Sequence, residues 1–150
     1  MSDNYRWWAA GVVAIGTFAS VADHSGLAIA LPSIAGHFGT DLATTQWVLI
    51  GYTLTISALL LPMGRLSDIV GRKRVYIGGW ILFIIGGVLA GFSPNIITLI
   101  LAKFLQGSGA AMTQGPAMAI LVSAFPASQR GRALAIEIGS VGTGAIVGPV

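Results

Sequence analysis

Apolar residues run through this chain in long stretches, broken in four places by short polar segments. A helix that crosses a bilayer needs about 20 mostly apolar residues. Five stretches meet or approach that length, at about 7–34, 45–63, 75–92, 94–122 and 133–150. Trp7 and Trp8 open the first as an aromatic pair suited to a membrane interface, and Pro32 lies near its far end. Gln46 and Trp47 open the second. Ser93 and Pro94 make a fitting start to the fourth, as N-cap and first helical position, and Pro116 predicts a kink further along it. A polar loop with Pro126, from 123 to 132, precedes the fifth. The pattern predicts an all-α integral membrane protein, with residues 1–150 forming part of one transmembrane bundle.

The charges divide by connection. The stretch from Gly64 to Arg74, read as a loop between the second and third spans, holds Arg65, Arg72, Lys73 and Arg74, half of the eight Lys and Arg in the chain. Asp68 is its only acid, and Gly64 and Gly71 allow a tight reversal. Arg6, Arg130 and Arg132 fall on the same side, whereas the connections 36–44 and 91–95 carry no Lys or Arg. Basic loops stay on the inner side of a membrane, so the N-terminus is expected in the cytoplasm and the protein in the cell (plasma or inner) membrane, multi-pass. The first apolar stretch is long enough to span, which predicts a retained helix rather than a cleaved leader.

Composition narrows the class. Apolar residues make up 55% of the chain, charged residues 9%, and the mean hydropathy is +0.84. Soluble domains carry about 25% charged residues, so lipid is the expected solvent. The pI near 9.8 does not point to nucleic acid, because the basic residues flank apolar spans instead of forming a solvated face. Without cysteine there is no disulfide, thiolate metal site or cysteine nucleophile. The fifth stretch reaches Val150 with no aromatic belt and no basic stop, and five helices enclose little of a solute pathway. The expectation is an N-terminal fragment or truncated product, whose missing helices belong to the same polypeptide. The alternative is a complete small protein that assembles as an oligomer.

Ionisable groups inside apolar spans are costly and are functional candidates by default. Four are present: Asp23, His24, Lys103 and Glu137. Asp23 lies about 22 Å along the helix from Trp8, in the outer half of the membrane. Gly16, Ser20, Asp23 and Leu27 share one helical face, a small polar stripe that suits protein or a water-filled cavity better than lipid. Desolvation disfavours a charged carboxylate, so Asp23 suits a reversible proton site; a structural acid bonded to a neighbouring helix fits equally well. His24 reads as a pore-lining or hydrogen-bonded residue. Lys103 starts a stripe with Gln106, Ala110 and Thr113. A buried Lys can release and take up a proton; it can also be a structural cation paired with Asp23 or a backbone carbonyl. Glu137, five residues past Arg132, is expected to snorkel to the interface or pair with that arginine.

The stretch Gly64-Arg65-Leu66-Ser67-Asp68-Ile69-Val70-Gly71-Arg72-Lys73-Arg74 resembles the loop between helices 2 and 3 of the major facilitator superfamily. Leu99 to Ala111 is similar to that family's helix-4 motif, with Lys103 where the family usually has Arg. Gly144-Ala145-Ile146-Val147-Gly148-Pro149 is similar to the helix-5 motif associated with antiporters. Asp23 followed by Ala30-Leu31-Pro32 resembles the helix-1 motif of the fourteen-helix drug:proton antiporter branch, with Ser25 for the usual Thr and Ala28 for the usual Asn. Gln46-Trp47-Val48 and Tyr52 open helix 2 as that branch does.

The resemblance implies five helices of a six-helix N-terminal bundle, truncated in helix 5, in a protein of twelve or fourteen helices. It implies proton coupling through Asp23 and Lys103. It further implies a conformational switch loop built on Gly64, Asp68, Gly71 and Arg72, whose acid and base exchange partners as access alternates. Lys73 and Arg74 are left to anionic lipid headgroups. Gly148-Pro149 resembles a point of bending, although Gly144 and Gly148, like Gly87 and Gly91, are also explained by close helix packing alone.

Tyr52, Thr53, Gln106, Gln114 and Met118 are candidates to line a mostly apolar cavity for amphipathic solutes; packing explains them equally well. Gly107-Ser108-Gly109 resembles a dinucleotide loop only superficially, because Met112 stands where a third glycine belongs. No phosphate-binding Walker loop is present, so a proton gradient is the expected energy source and no cofactor is expected. Two histidines and scattered acids supply no catalytic or metal constellation, so an enzyme is not expected. The expected function is proton-coupled export of drug-like or amphipathic small molecules. A facilitator or symporter for a nutrient or metabolite, or a non-transporting membrane subunit, is the alternative.

Overall fold

The computed structural model describes residues 3–149. Five α-helices follow one another: α1 (Asp3–Phe38), α2 (Leu42–Val70), α3 (Arg72–Gly91), α4 (Ile96–Ala124) and, after a 3-10 turn at Ala127–Gln129, α5 (Arg130–Val147). Val150, the last residue of the expected fifth span, lies outside the described residues. α1 from Arg6, α2, α3 and α4 are each long and apolar enough to cross a bilayer, at 33, 29, 20 and 29 residues. The 20 residues of α3 rise about 30 Å, the thickness of the hydrocarbon layer; the longer helices tilt or run on into the headgroups. α5 has 18 residues and carries Arg130, Arg132 and Glu137, so it does not combine length and low charge as the others do.

Helix ends follow local chemistry. α1 stops in a Schellman turn: Gly39 takes φ +60° and the Thr40 N–H reaches back to the Ala35 carbonyl at 3.0 Å. Asp41 then caps α2, its Oδ2 accepting the Thr44 N–H at 3.0 Å and its Oδ1 the Thr44 hydroxyl at 2.7 Å. The Thr44 hydroxyl, followed by the Thr44 N–H, holds the Asp41 carboxyl below its ordinary pKa.

Two sequence expectations change here. The start of α4 is capped by Asn95 rather than Ser93. Asn95 Oδ1 accepts the Thr98 N–H at 2.9 Å and the Thr98 hydroxyl oxygen accepts the Asn95 N–H at 3.3 Å, a reciprocal capping box. Ser93 instead closes α3, donating to the Leu89 carbonyl at 2.9 Å. The basic segment is also not a loop. α2 continues through Val70 and α3 begins at Arg72, leaving Gly71 as the whole connection, at φ +108° and ψ 127°. Few residues other than glycine adopt that conformation. Gly64 lies within α2 and takes no part in the turn. Ser67, buried, donates to the Gly64 carbonyl at 2.6 Å. Polar side chains at a membrane surface do not break a helix, so the change in polarity at Gly64 marks the edge of the lipid and not the end of α2.

Pro32, Pro62 and Pro116 all lie inside helices. Each lacks an N–H, so the carbonyls of Ala28, Ala58 and Met112 lose their usual partner. The chain divides into two compact bodies at Gly26 within α1 and at Pro116 within α4.

The body Leu27–Pro116 is built around α4. Leu27, Val48, Ile96 and Leu99 form one core with Leu31, Ile34 and Phe38 packed on it. Tyr52, Phe83 and Ala110 form a second with Ile56 and Trp80. Small residues let the backbones close. A methyl added to Gly107 would meet the Tyr52 carbonyl oxygen at 2.7 Å, and one on Gly115 would meet the Gly64 nitrogen at 2.9 Å, so α4 lies directly on α2. Gly109 is pressed in the same way against the backbone of Phe83 in α3. The expected pair Gly87 and Gly91 does not make such a contact: the space beside Gly91 is open among the described residues, and Gly79 and Gly86 make the close approach to α4 instead.

The second body comprises α1 up to Gly26, the end of α4 from Ala117, and α5. Trp7 packs edge-on against Phe125 with ring centroids 5.5 Å apart, which places the start of α1 at the same end as the connection after α4. Trp8 beside it is exposed.

Candidate functional site

In the body Leu27–Pro116, α4 presents Lys103, Gln106, Ala110 and Thr113 on one face, as the stripe at spacings of three and four predicts, and all four are buried. Lys103 is only 6% exposed. Its Nζ lies 5.8 Å from the centroid of the Tyr52 ring, within range of a cation–π interaction. Gln106 is 2% exposed and packs on Gly86 of α3, with its Nε2 toward Gly87. Its buried Oε1 has no hydrogen-bond partner among the described residues. The Thr113 hydroxyl turns back on the Ala110 carbonyl at 2.8 Å.

The other cavity candidates separate. Tyr52 is fully buried with the Lys103 face. Thr53, one residue on and so about 100° around α2, is exposed and donates to the Leu49 carbonyl at 2.9 Å. Gln114 is half-buried and Met118 exposed.

At the α2–α3 connection, Arg72 Nε and Nη2 both donate to Asp68 Oδ1, at 3.2 and 3.1 Å. The pair bridges Gly71 and is open to solvent, with Asp68 62% and Arg72 39% exposed. As an exposed pair it contributes at most about 1 kcal/mol to stability.

In the second body, Asp23 is half-buried on the stripe that begins with buried Gly16 and Ser20. Ser25, which stands where the drug-antiporter resemblance has Thr, donates to Val21 O at 2.9 Å and lies 3.2 Å from the carbonyl of Gly144 on α5. A methyl on Gly144 would lie 2.8 Å from the Phe18 carbonyl oxygen, and one on Gly148 would run into the Ala22 carbonyl. Gly144 and Gly148 therefore face α1 and bring α5 onto it backbone to backbone. Pro149 follows directly after Gly148, which ends the regular helix.

Glu137 is placed differently from its sequence expectation. Its Oε1 accepts the hydroxyl of Thr17 on α1 at 2.6 Å, and it forms no ion pair with Arg132 among the described residues. Sequence reasoning missed Thr17 because the partner lies 120 positions away. The available signal was that both are polar residues inside apolar stretches.

Long apolar helices with polar groups buried along α4 define a multi-pass membrane protein. The match to a family model is direct: residues 13–150 fit that of the Major Facilitator Superfamily, and the chain belongs to this family. It is 38% identical over 145 residues to a riboflavin transporter of Clostridioides difficile, covering 97% of this chain and 32% of that protein. It is 32% identical to a probable actinorhodin transporter of Streptomyces coelicolor, covering 97% of this chain and 25% of the relative. It is 36% identical to a puromycin resistance protein of Streptomyces alboniger, covering 97% and 29%. The chain thus spans a third or less of the length of these relatives.

Proposed function

We propose that the full-length protein exports drug-like or amphipathic small molecules in exchange for protons across the cell membrane, with its N-terminus in the cytoplasm. The observation that carries this reading is Lys103, a cation buried inside a membrane-length helix over the ring of Tyr52. A charge in that position is costly and calls for a function. In the proposed cycle Asp23 and Lys103 take up and release the proton, and Tyr52, Gln106 and Gln114 face the solute. The Asp68–Arg72 pair biases the two access states, and Gly144, Gly148 and Pro149 let α5 bend against α1. Helices beyond residue 150, supplied by the same polypeptide, complete the pathway, and rocking of the halves alternates access. The relatives named for actinorhodin transport and puromycin resistance support export of bulky organic solutes.

The riboflavin transporter among the relatives favours a second reading, in which a nutrient or metabolite moves by facilitated diffusion or symport. Efflux from proteoliposomes holding the full-length protein separates the two. An imposed proton gradient is expected to accelerate dye efflux, and Asp23→Asn to lose at least about tenfold of that acceleration, the equivalent of about 1.4 kcal/mol. Undiminished gradient dependence in the variant removes Asp23 from the mechanism. Gradient-independent transport by the parent favours the facilitator.

A further inference from the structure

We infer that Glu137 and Thr17 form a second proton-binding site, on α5 and α1, which extends the proton-coupled reading above. The two oxygens of the Glu137 carboxyl have unlike surroundings. Oε1 accepts the Thr17 hydroxyl at 2.6 Å, a length typical of a hydroxyl donating to a carboxylate. Oε2 is shut off from solvent and receives no hydrogen bond from the described residues. A carboxylate with one buried oxygen left bare has part of its charge without a hydrogen-bond donor, which is unfavourable. A proton is the smallest ligand that removes the charge, and it reaches an oxygen that a solute's ammonium group does not without rearrangement. Thr17 fixes the site of attachment: by occupying Oε1 it leaves Oε2 as the oxygen that bonds the proton. The carboxyl passes from −1 to neutral, and the Thr17 bond survives with Oε1 as the carbonyl oxygen.

Among the described residues no cation forms an ion pair with Glu137. On α1, Arg6 is eleven residues before Thr17, Asp23 six after and His24 seven after, so roughly 16, 9 and 10 Å along the axis. Of these His24 shares the face of Thr17, two turns on. On α5, Arg132 lies five residues before Glu137 and about 140° around the helix, whereas Arg130, seven residues before, shares the face of Glu137 two turns back, about 10 Å along the axis. The end of α4 in this body, 117–124, and the turn at Ala127–Gln129 carry no titratable side chain.

The test is infrared difference spectroscopy of the full-length protein in lipid, acid against neutral pH. The expected result is a protonated-carboxyl C=O band that is lost in Glu137→Gln, kept in Asp23→Asn, and shifted in frequency in Thr17→Val because its carbonyl oxygen loses a donor. Identical carboxyl spectra for the parent and a monodisperse Glu137→Gln overturn the assignment. If Glu137→Gln does not fold, Thr17→Val decides: a shifted band supports the site and an unshifted spectrum overturns it. The readout does not depend on transport. Efflux indifferent to the proton gradient with this band present removes the antiport reading and leaves the site standing.

Discussion

A single methyl separates a tolerated glycine from an essential one in this chain. Gly115 and Gly131 are both helical, yet a Cβ on Gly115 meets the backbone of Gly64 and Leu60 at 2.9 and 3.1 Å, whereas one on Gly131 meets nothing within 4 Å. Backbone atoms cannot rotate away as a flexible side chain can. Gly115→Ala is therefore expected to push α4 off α2 and to cost about 1–3 kcal/mol, the usual range for overpacking. Gly131→Ala, at the exposed start of α5, is expected to gain about 0.5–1 kcal/mol from lower backbone entropy in the unfolded chain. Thermal unfolding of the two variants in detergent checks the contrast, and equal melting shifts would contradict it. The same logic gives Gly107 and Gly109 their place: each lets α4 touch another helix through backbone, on the side of α4 that also buries Lys103 and Gln106.

At the scale of elements, the turn between α2 and α3 has two separable parts. Gly71 supplies a conformation that a side chain would strain by about 1–3 kcal/mol. Asp68 and Arg72 supply an exposed ion pair across it, which costs little stability to lose. Gly71→Val is thus expected to lower the melting temperature. Asp68→Asn should leave melting unchanged but slow transport, if the pair biases access as proposed; normal transport rates in Asp68→Asn would end that role. The existence of each element was legible in the apolar runs, because membrane length needs only composition to be seen. Their ends were less so: α2 continues seven residues past Met63, through Arg65 and Asp68, because the helix outlasts the lipid that defined the apolar run. The buried face of α4 was legible from the spacing of Lys103, Gln106, Ala110 and Thr113. The Thr17–Glu137 bond was not, since nothing along the chain ties α1 to α5 until their glycines bring them together.

For the molecule as a whole, lipid as solvent explains a surface that water would not permit. Leu61, Phe92 and Ile146 are all more than 70% exposed, while Lys103, Gln106 and Thr113 are buried, an inversion of the soluble pattern. In hydrocarbon an outward leucine costs nothing, and a polar group gains only by facing protein. The orientation of that inverted surface follows from charge. The first turn of α3, directly after Gly71, holds Arg72, Lys73 and Arg74, whereas the α1–α2 connection has the Asp41 cap and no Lys or Arg. Because a positive loop resists translocation, the first is expected inside and the second outside. The 150 residues contain no cysteine, so single cysteines at exposed positions report this directly in a cysteine-free full-length background. Ala43→Cys is expected to react with a membrane-impermeant maleimide on intact cells, and Lys73→Cys only after permeabilisation. Labelling of Lys73→Cys from outside would reverse the topology.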